Sequence, residues 1–209
     1  MKRPLFALLA LSLPIISPAA HAAIVYSGPQ NVAIPYDFNG VFLRLSDNAT
    51  GVTFPGDWST APWINPFFGG TGIATSPLFL PVITGADQIV NLAGGTVISA
   101  GSNFALGESG SSTHVGPALN QFQVGSPGYI GYKFQLPGGG PQYYGWIGVQ
   151  INDAGAGAIT DWAYQNTSGT AIQAGEISGV PEPAAACCAL LLALPGACLL
   201  FRKRRQREA

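Results

Sequence analysis

His114 is the sole histidine between residues 23 and 180, and it sits in the Gly/Ser-rich stretch GESGSSTHVG. A hydrolytic nucleophile needs a base, and the base needs a partner that orients it. No G-x-S-x-G turn accompanies this histidine, and no second histidine is present to complete a metal site. His114 is therefore expected to be a solvated loop residue. The same region carries eight acids: Asp37, Asp47, Asp57, Asp87, Glu108, Asp153, Asp161 and Glu176. Two of them facing each other at about 5–10 Å would suit glycoside hydrolysis, but their dispersed spacing brings no pair together. Asp47-Asn48 and Asn152-Asp153 could lend oxygens to calcium, although no D-x-[DN]-x-[DN]-G loop is present. The expectation is no catalytic residue, no metal site and no cofactor. Carbohydrate stacking is the remaining chemistry. In Tyr143 to Asn152 (YYGWIGVQIN), Tyr144 and Trp146 alternate away from Ile147, Val149 and Ile151. The two rings, with Gln150 as a hydrogen-bonding neighbour, form a candidate sugar platform. The competing reading is that large aromatics belong to a core.

Strands must position these residues. In Tyr129 to Leu136 (YIGYKFQL), Ile130, Tyr132, Phe134 and Leu136 share one face, while Gly131, Lys133 and Gln135 share the other, as in a half-buried strand. Pro137 to Pro141 (PGGGP) breaks the chain before alternation resumes at Tyr143, which predicts a hairpin with a five-residue loop. Ala158 to Asn166 reads as a third strand. Ile24 to Tyr26, Val41 to Leu45, Leu78 to Ile83, Gln88 to Leu92 and Gly95 to Ser99 read as further short ones. No amphipathic helix of convincing length occurs between residues 23 and 180. The pattern implies an all-β fold, a β-sandwich or jelly roll over a barrel.

Composition supports a folded domain of ordinary size. Gly and Pro make up 38 of the 158 residues from 23 to 180, near the level of low complexity. Twenty aromatics in the same span argue for a core, because disordered chains hold few. Only Arg44 and Lys133 oppose the eight acids, giving this region a formal net charge of −6. Such a surface repels phosphate backbones, which excludes nucleic acid as an expected partner. Cys187, Cys188 and Cys198 all lie near the C-terminus, so neither a disulfide framework nor a thiolate metal site is expected in the domain.

The two ends read as targeting segments. Lys2 and Arg3, the apolar run Leu5 to Ile16 and the small-residue site Ala20-His21-Ala22 make residues 1–22 a signal peptide, cleaved before Ala23 by signal peptidase. Residues 184–201 carry no charge over 18 positions, enough for a short transmembrane helix. Pro195-Gly196 would kink it without excluding it. Arg202, Lys203, Arg204, Arg205 and Arg207, in the basic tail 202–209, hold that end in the cytoplasm by the positive-inside rule. The domain at 23–179 is then exported. The prolines flanking Glu182 keep the backbone extended just before the apolar run, in a form that a processing enzyme can grip.

Val180, Pro181, Glu182 and Pro183, followed directly by the short span and the terminal arginines, resemble a PEP-CTERM sorting signal over residues 180–209. The resemblance implies processing by exosortase, a membrane-embedded enzyme like a cysteine transpeptidase, in envelopes associated with exopolysaccharide. A plain single-span anchor is the competing reading. Residues 128–174 are also similar to a β-rich segment of PEP-CTERM surface proteins, at Tyr144-Gly145-Trp146 and Asp161-Trp162-Ala163-Tyr164 above all. The implied protein is non-enzymatic: first anchored in the inner membrane, then at the cell surface or in the extracellular matrix. The alternative is a lectin-like module for matrix polysaccharide.

Overall fold

Residues 23–84, 88–106, 121–152 and 155–178 are described by a computed structural model. The signal segment, His114 and everything from residue 179 onward, including the sorting motif and the apolar run, lie outside them. In chain order the strands are β1 (Ile24–Tyr26), β2 (Val32–Ile34), β3 (Phe42–Arg44), β4 (Ala49–Gly51), β5 (Trp63–Phe68) and β6 (Gly72–Thr75). Next come β7 (Phe79–Pro81), β8 (Asn91–Leu92), β9 (Val97–Ile98), β10 (Pro127–Gln135), β11 (Gln142–Ile151), β12 (Gly157–Gln165) and β13 (Ile172–Gln173). The described residues are all-β and contain no helix.

The expected hairpin forms. β10 and β11 pair antiparallel from Pro127↔Gln150 to Gln135↔Gln142, so the loop opens where the Pro-Gly run stops alternation. β12 continues the meander beside β11. The three long strands are the middle of a seven-stranded sheet whose path runs β1-β12-β11-β10-β7, with β2 on β12 and β8 on β10. A four-stranded sheet, β4-β3-β5-β6, packs across one face. Leu43, Ile64 and Ile73 of the smaller sheet join Ile130, Phe134 and Ile147 of the larger in one buried cluster, an arrangement consistent with a β-sandwich. Trp162 donates its indole N–H to Asn48 Oδ1 at 2.8 Å, tying β12 to the turn between β3 and β4.

Two bulges change which residues face inward. Between β11 and β12 the register slips after Gly148↔Asp161 to Val149↔Ile159, leaving Thr160 without a partner. The extra residue reverses the parity of the strand. Ile159 and Trp162, three positions apart, consequently share the same core. In β5 the pairing slips between Pro66 and Phe68, and Phe67 takes a φ of 59° and turns fully inward. β5 was not anticipated from the sequence, because Pro66 and the bulge together erase its alternation. The short strands β2, β4, β6 and β13 also went unanticipated, since segments of two to four residues carry too little pattern.

One expectation about the hairpin needs correction. The second face of β10 is part-exposed at Tyr129, Lys133 and Gln135 but closed at Gly131, where a side chain would collide with Leu92, Ile98 and Val82. These belong to a second buried cluster on the other face of the large sheet, built from Val82, Leu92, Ile98, Tyr144, Trp146 and Ile172. Close packing reaches the backbone at Gly145, where a Cβ would lie 2.4 Å from both Ala163 O and the Tyr132 hydroxyl oxygen. Gly145→Ala should destabilise the fold by about 1–3 kcal/mol in urea unfolding. Gly56→Ala, where nothing lies within 4 Å, should shift it little.

Candidate functional site

The platform expected at Tyr144 and Trp146 is not a surface. Alternation does turn both rings away from Ile147, Val149 and Ile151, but the face they reach is roofed by the second cluster. Trp146 is 0% exposed and Tyr144 5%. Tyr129 meets Trp146 edge-on at 5.4 Å, and Phe104 stacks on Tyr144 at 5.7 Å. The indole N–H of Trp146 donates to Glu176 O at 3.1 Å. Trp146 therefore holds down the segment that leads to residue 179, while Gln150, four positions further along β11, is half-buried. Trp146→Ala should cost about 3–5 kcal/mol of stability through the cavity it leaves. That effect is read as a lowered urea midpoint, not as a selective loss of binding.

Five of the eight acids fall among the described residues, and each is engaged in hydrogen bonds. Asp37 Oδ1 accepts from the backbone N–H groups of Asn39 and Gly40 at 2.9 and 2.7 Å. Asp161 Oδ2 accepts from the Tyr26 hydroxyl at 3.1 Å, and Glu176 Oε2 from Gln173 N at 2.9 Å. Burial, followed by this bond to Asp161, pushes the Tyr26 phenol above its ordinary value. Asp47 and Asp57 do converge, which their spacing did not reveal, but Arg44 lies between them. Its guanidinium grips Asp47 with two bonds of 2.6 and 2.7 Å and Asp57 with one of 2.5 Å, and it lies 4.9 Å from the Trp63 ring centroid. Asp57 Oδ1 also accepts the Trp63 indole N–H at 2.9 Å. Asp47-Asn48 is committed likewise: Asp47 to Arg44, and Asn48 to Trp162. Asn152 is described and Asp153 lies outside the described residues. Among the described residues no group of three metal-ligating side chains occurs.

The Arg44 network frames another aromatic surface. On the outer face of the four-stranded sheet, Phe42 meets Phe54 and Trp58 edge-on at 5.7 and 5.8 Å. Phe38 meets Phe68 edge-on at 6.2 Å. Phe38, Asn39, Phe42, Phe54, Asn65 and Phe68 line an open groove of about 290 Å³. Two devices fix its walls. The salt bridge to Asp57 holds the loop that carries Phe54 and Trp58. Asp37 and Gly40, at φ 62°, fold the loop that carries Phe38 and Asn39. A Cβ at Gly40 would come 2.3 Å from Asn65 Oδ1, so that loop needs glycine. Phe68 lies across Gly72 of the neighbouring strand, where any side chain would strike its ring.

Phe38 and Phe54 are 83% and 65% exposed. Asn65 is buried, with Nδ2 donating to Asn39 O at 2.7 Å and Oδ1 accepting nothing among the described residues. A buried amide oxygen without a donor is uncommon. Phe38, Asn39 and Phe54 were missed because they fall in turn-like runs, YDFNG and FPGDW, and Asn65 and Phe68 because Pro66 and the bulge hide β5. Aromatics amid turn residues were the available signal. No helix long and apolar enough to cross a membrane occurs among the described residues. Comparison with known protein families, characterised proteins and solved structures returns no match, so function is argued from the residues themselves.

Arg44 holds the Asp47 carboxyl below the ordinary carboxylate range, chiefly by hydrogen bonding. A depressed folded-state value means that the stabilisation is present above the unfolded value near 3.8 and is lost as pH falls through the folded one. Asp47 is half exposed, so the effect is modest. Arg44→Met should cost about 1–2 kcal/mol at pH 7. The gap between variant and parent should narrow below pH 4 in acid-unfolding curves.

Proposed function

We propose that the chain is a non-enzymatic, exported envelope protein whose C-terminal segment is a PEP-CTERM sorting signal. In this reading signal peptidase removes residues 1–22. Residues 23–179 form a β-sandwich displayed outside the inner membrane, and residues 184–201 hold the precursor in the bilayer. Exosortase then acts at Val180, Pro181, Glu182 and Pro183, delivering the domain to the cell surface or exopolysaccharide matrix. One observation carries the proposal: Pro-Glu-Pro, an uncharged run of 18 residues and five basic residues follow each other in the order of a PEP-CTERM sorting signal, and the run is long enough and its cations so placed for a span with that end inside. The described domain is compatible with display. Its carboxylates are engaged in turns, tyrosine and arginine contacts, and its second buried cluster secures the chain up to Glu176, just before the handle. The sandwich reading is supported by two sheets that share one core.

Intact-mass measurement of the protein from cells with a working exosortase tests this reading. The mature species should begin at Ala23 and lack the apolar run. Pro181→Ala together with Glu182→Ala should retain the full tail in the membrane fraction. Persistence of the unprocessed tail on the mature parent protein would overturn the sorting role.

A lectin-like role is the second reading. The exposed aromatic groove on the smaller sheet favours it, in place of the buried rings of β11.

A further inference from the structure

We propose that the groove between Phe38 and Phe54 binds a neutral saccharide. The lining supplies aromatic surface for the apolar face of a sugar ring, and the exposed side-chain amide of Asn39 for its hydroxyls. Asn65 shapes the wall from beneath: its Nδ2 donates to Asn39 O at 2.7 Å and its buried Oδ1 lies against the Gly40 turn, which holds Asn39 at the surface. A volume of about 290 Å³ is at the small end of ligand sites, near the ~300 Å³ lower bound, and suits a short stretch of sugar rather than a large cofactor. Because the groove is open, hydroxyls that do not reach Asn39 keep their water.

Charge selects among possible occupants. No lining residue is ionisable, and residues 23–180 as a whole carry a formal net charge of −6. Anionic polymers, and a second copy of the same acidic domain, approach against that field, whereas a neutral sugar does not. Placement argues against lipid as the occupant. The described chain ends beside Trp146, on the face of the large sheet that is turned away from the four-stranded sheet. The groove lies on the far side of that smaller sheet, beyond two layer spacings of about 10 Å each. Residues 179–183, fully stretched, span at most about 18 Å. A bilayer-held run at 184–201 thus leaves the groove facing outward. This orientation rests on the proposed export topology, but the binding itself does not.

The test uses the full chain purified from expressing cells, titrated by calorimetry. The neutral probes are cellohexaose, laminarihexaose, maltohexaose, xylohexaose and chitohexaose, and the anionic probes are alginate and hyaluronan oligomers. Saturable binding of at least one neutral probe, and of neither anionic one, is expected. Phe38→Ala and Phe54→Ala should each weaken it about two- to tenfold, the factor corresponding to a lost aromatic contact. Both side chains are exposed, so unfolding midpoints should hold. Ile177→Ala, on the opposite side of the domain, should leave binding unchanged.

Three results would overturn the proposal: silence across the neutral probes, binding that survives the double Phe38→Ala/Phe54→Ala variant, or a dimer in light scattering that Phe54→Ala dissolves. The dimer would identify the groove as a contact between copies. Because the purified chain needs no processing to bind, failure of exosortase cleavage and failure of sugar binding are separate outcomes.

Discussion

The fold depends on covering both faces of β11. Sheets of antiparallel strands commonly leave one face to water, yet here Ile147, Val149 and Ile151 enter the core shared with the smaller sheet while Tyr144 and Trp146 enter a second cluster behind. Gly131 gives way to the covering layer at Leu92, Ile98 and Val82, and Gly145 to the Tyr132 ring and Ala163 O of the flanking strands. The second layer is thin, built from the two-residue strands β9 and β13 and the loops around them. Its stability comes from what it lies on. The indole of Trp146 supplies both the apolar area and the N–H that fixes Glu176, so the largest buried side chain is also the anchor for the segment leading out of the domain.

Burial on that scale leaves little room for ionic chemistry. Tyr132, fully buried, keeps its hydroxyl proton well beyond the ordinary phenol range because burial disfavours the anion, and it donates to Ala163 O. Arg44 is spent on structure: two carboxylates and one tryptophan ring converge on it. The result is a loop held in place at the edge of an aromatic groove, with the cation and both acids bound to one another. A protein built this way presents shape and ring surface outward, in keeping with the proposal of a displayed binding domain.

The two halves of the functional reading draw on different parts of the chain. The proposed sorting rests on residues 180–209, whose order of Pro-Glu-Pro, uncharged run and cations is a property of the linear sequence. Sugar binding rests on the outer face of the smaller sheet, assembled from the loops around Phe38 and Phe54 and from β5. The domain architecture connects them by placing the exit segment on one side and the groove on the other.

Sequence alone determined the all-β class and the β10–β11 hairpin, because alternation and a Pro-Gly break are local and repeat over eight or more residues. It also carried the acidic balance of residues 23–180, which is a sum over composition, and the order of features on which the proposed sorting rests. Tertiary structure decided whether an outward-pointing ring meets water. Tyr144 and Trp146 point away from the main core as their spacing says, but only the distant segments at 82–104 and 172–176 determine that this side is closed. The groove was illegible for the same reason: Phe38, Phe54 and Phe68 come from three separate segments, one of them distorted by a bulge. Periodicity reports which face a residue takes; what covers that face is set by chain that lies far away in sequence.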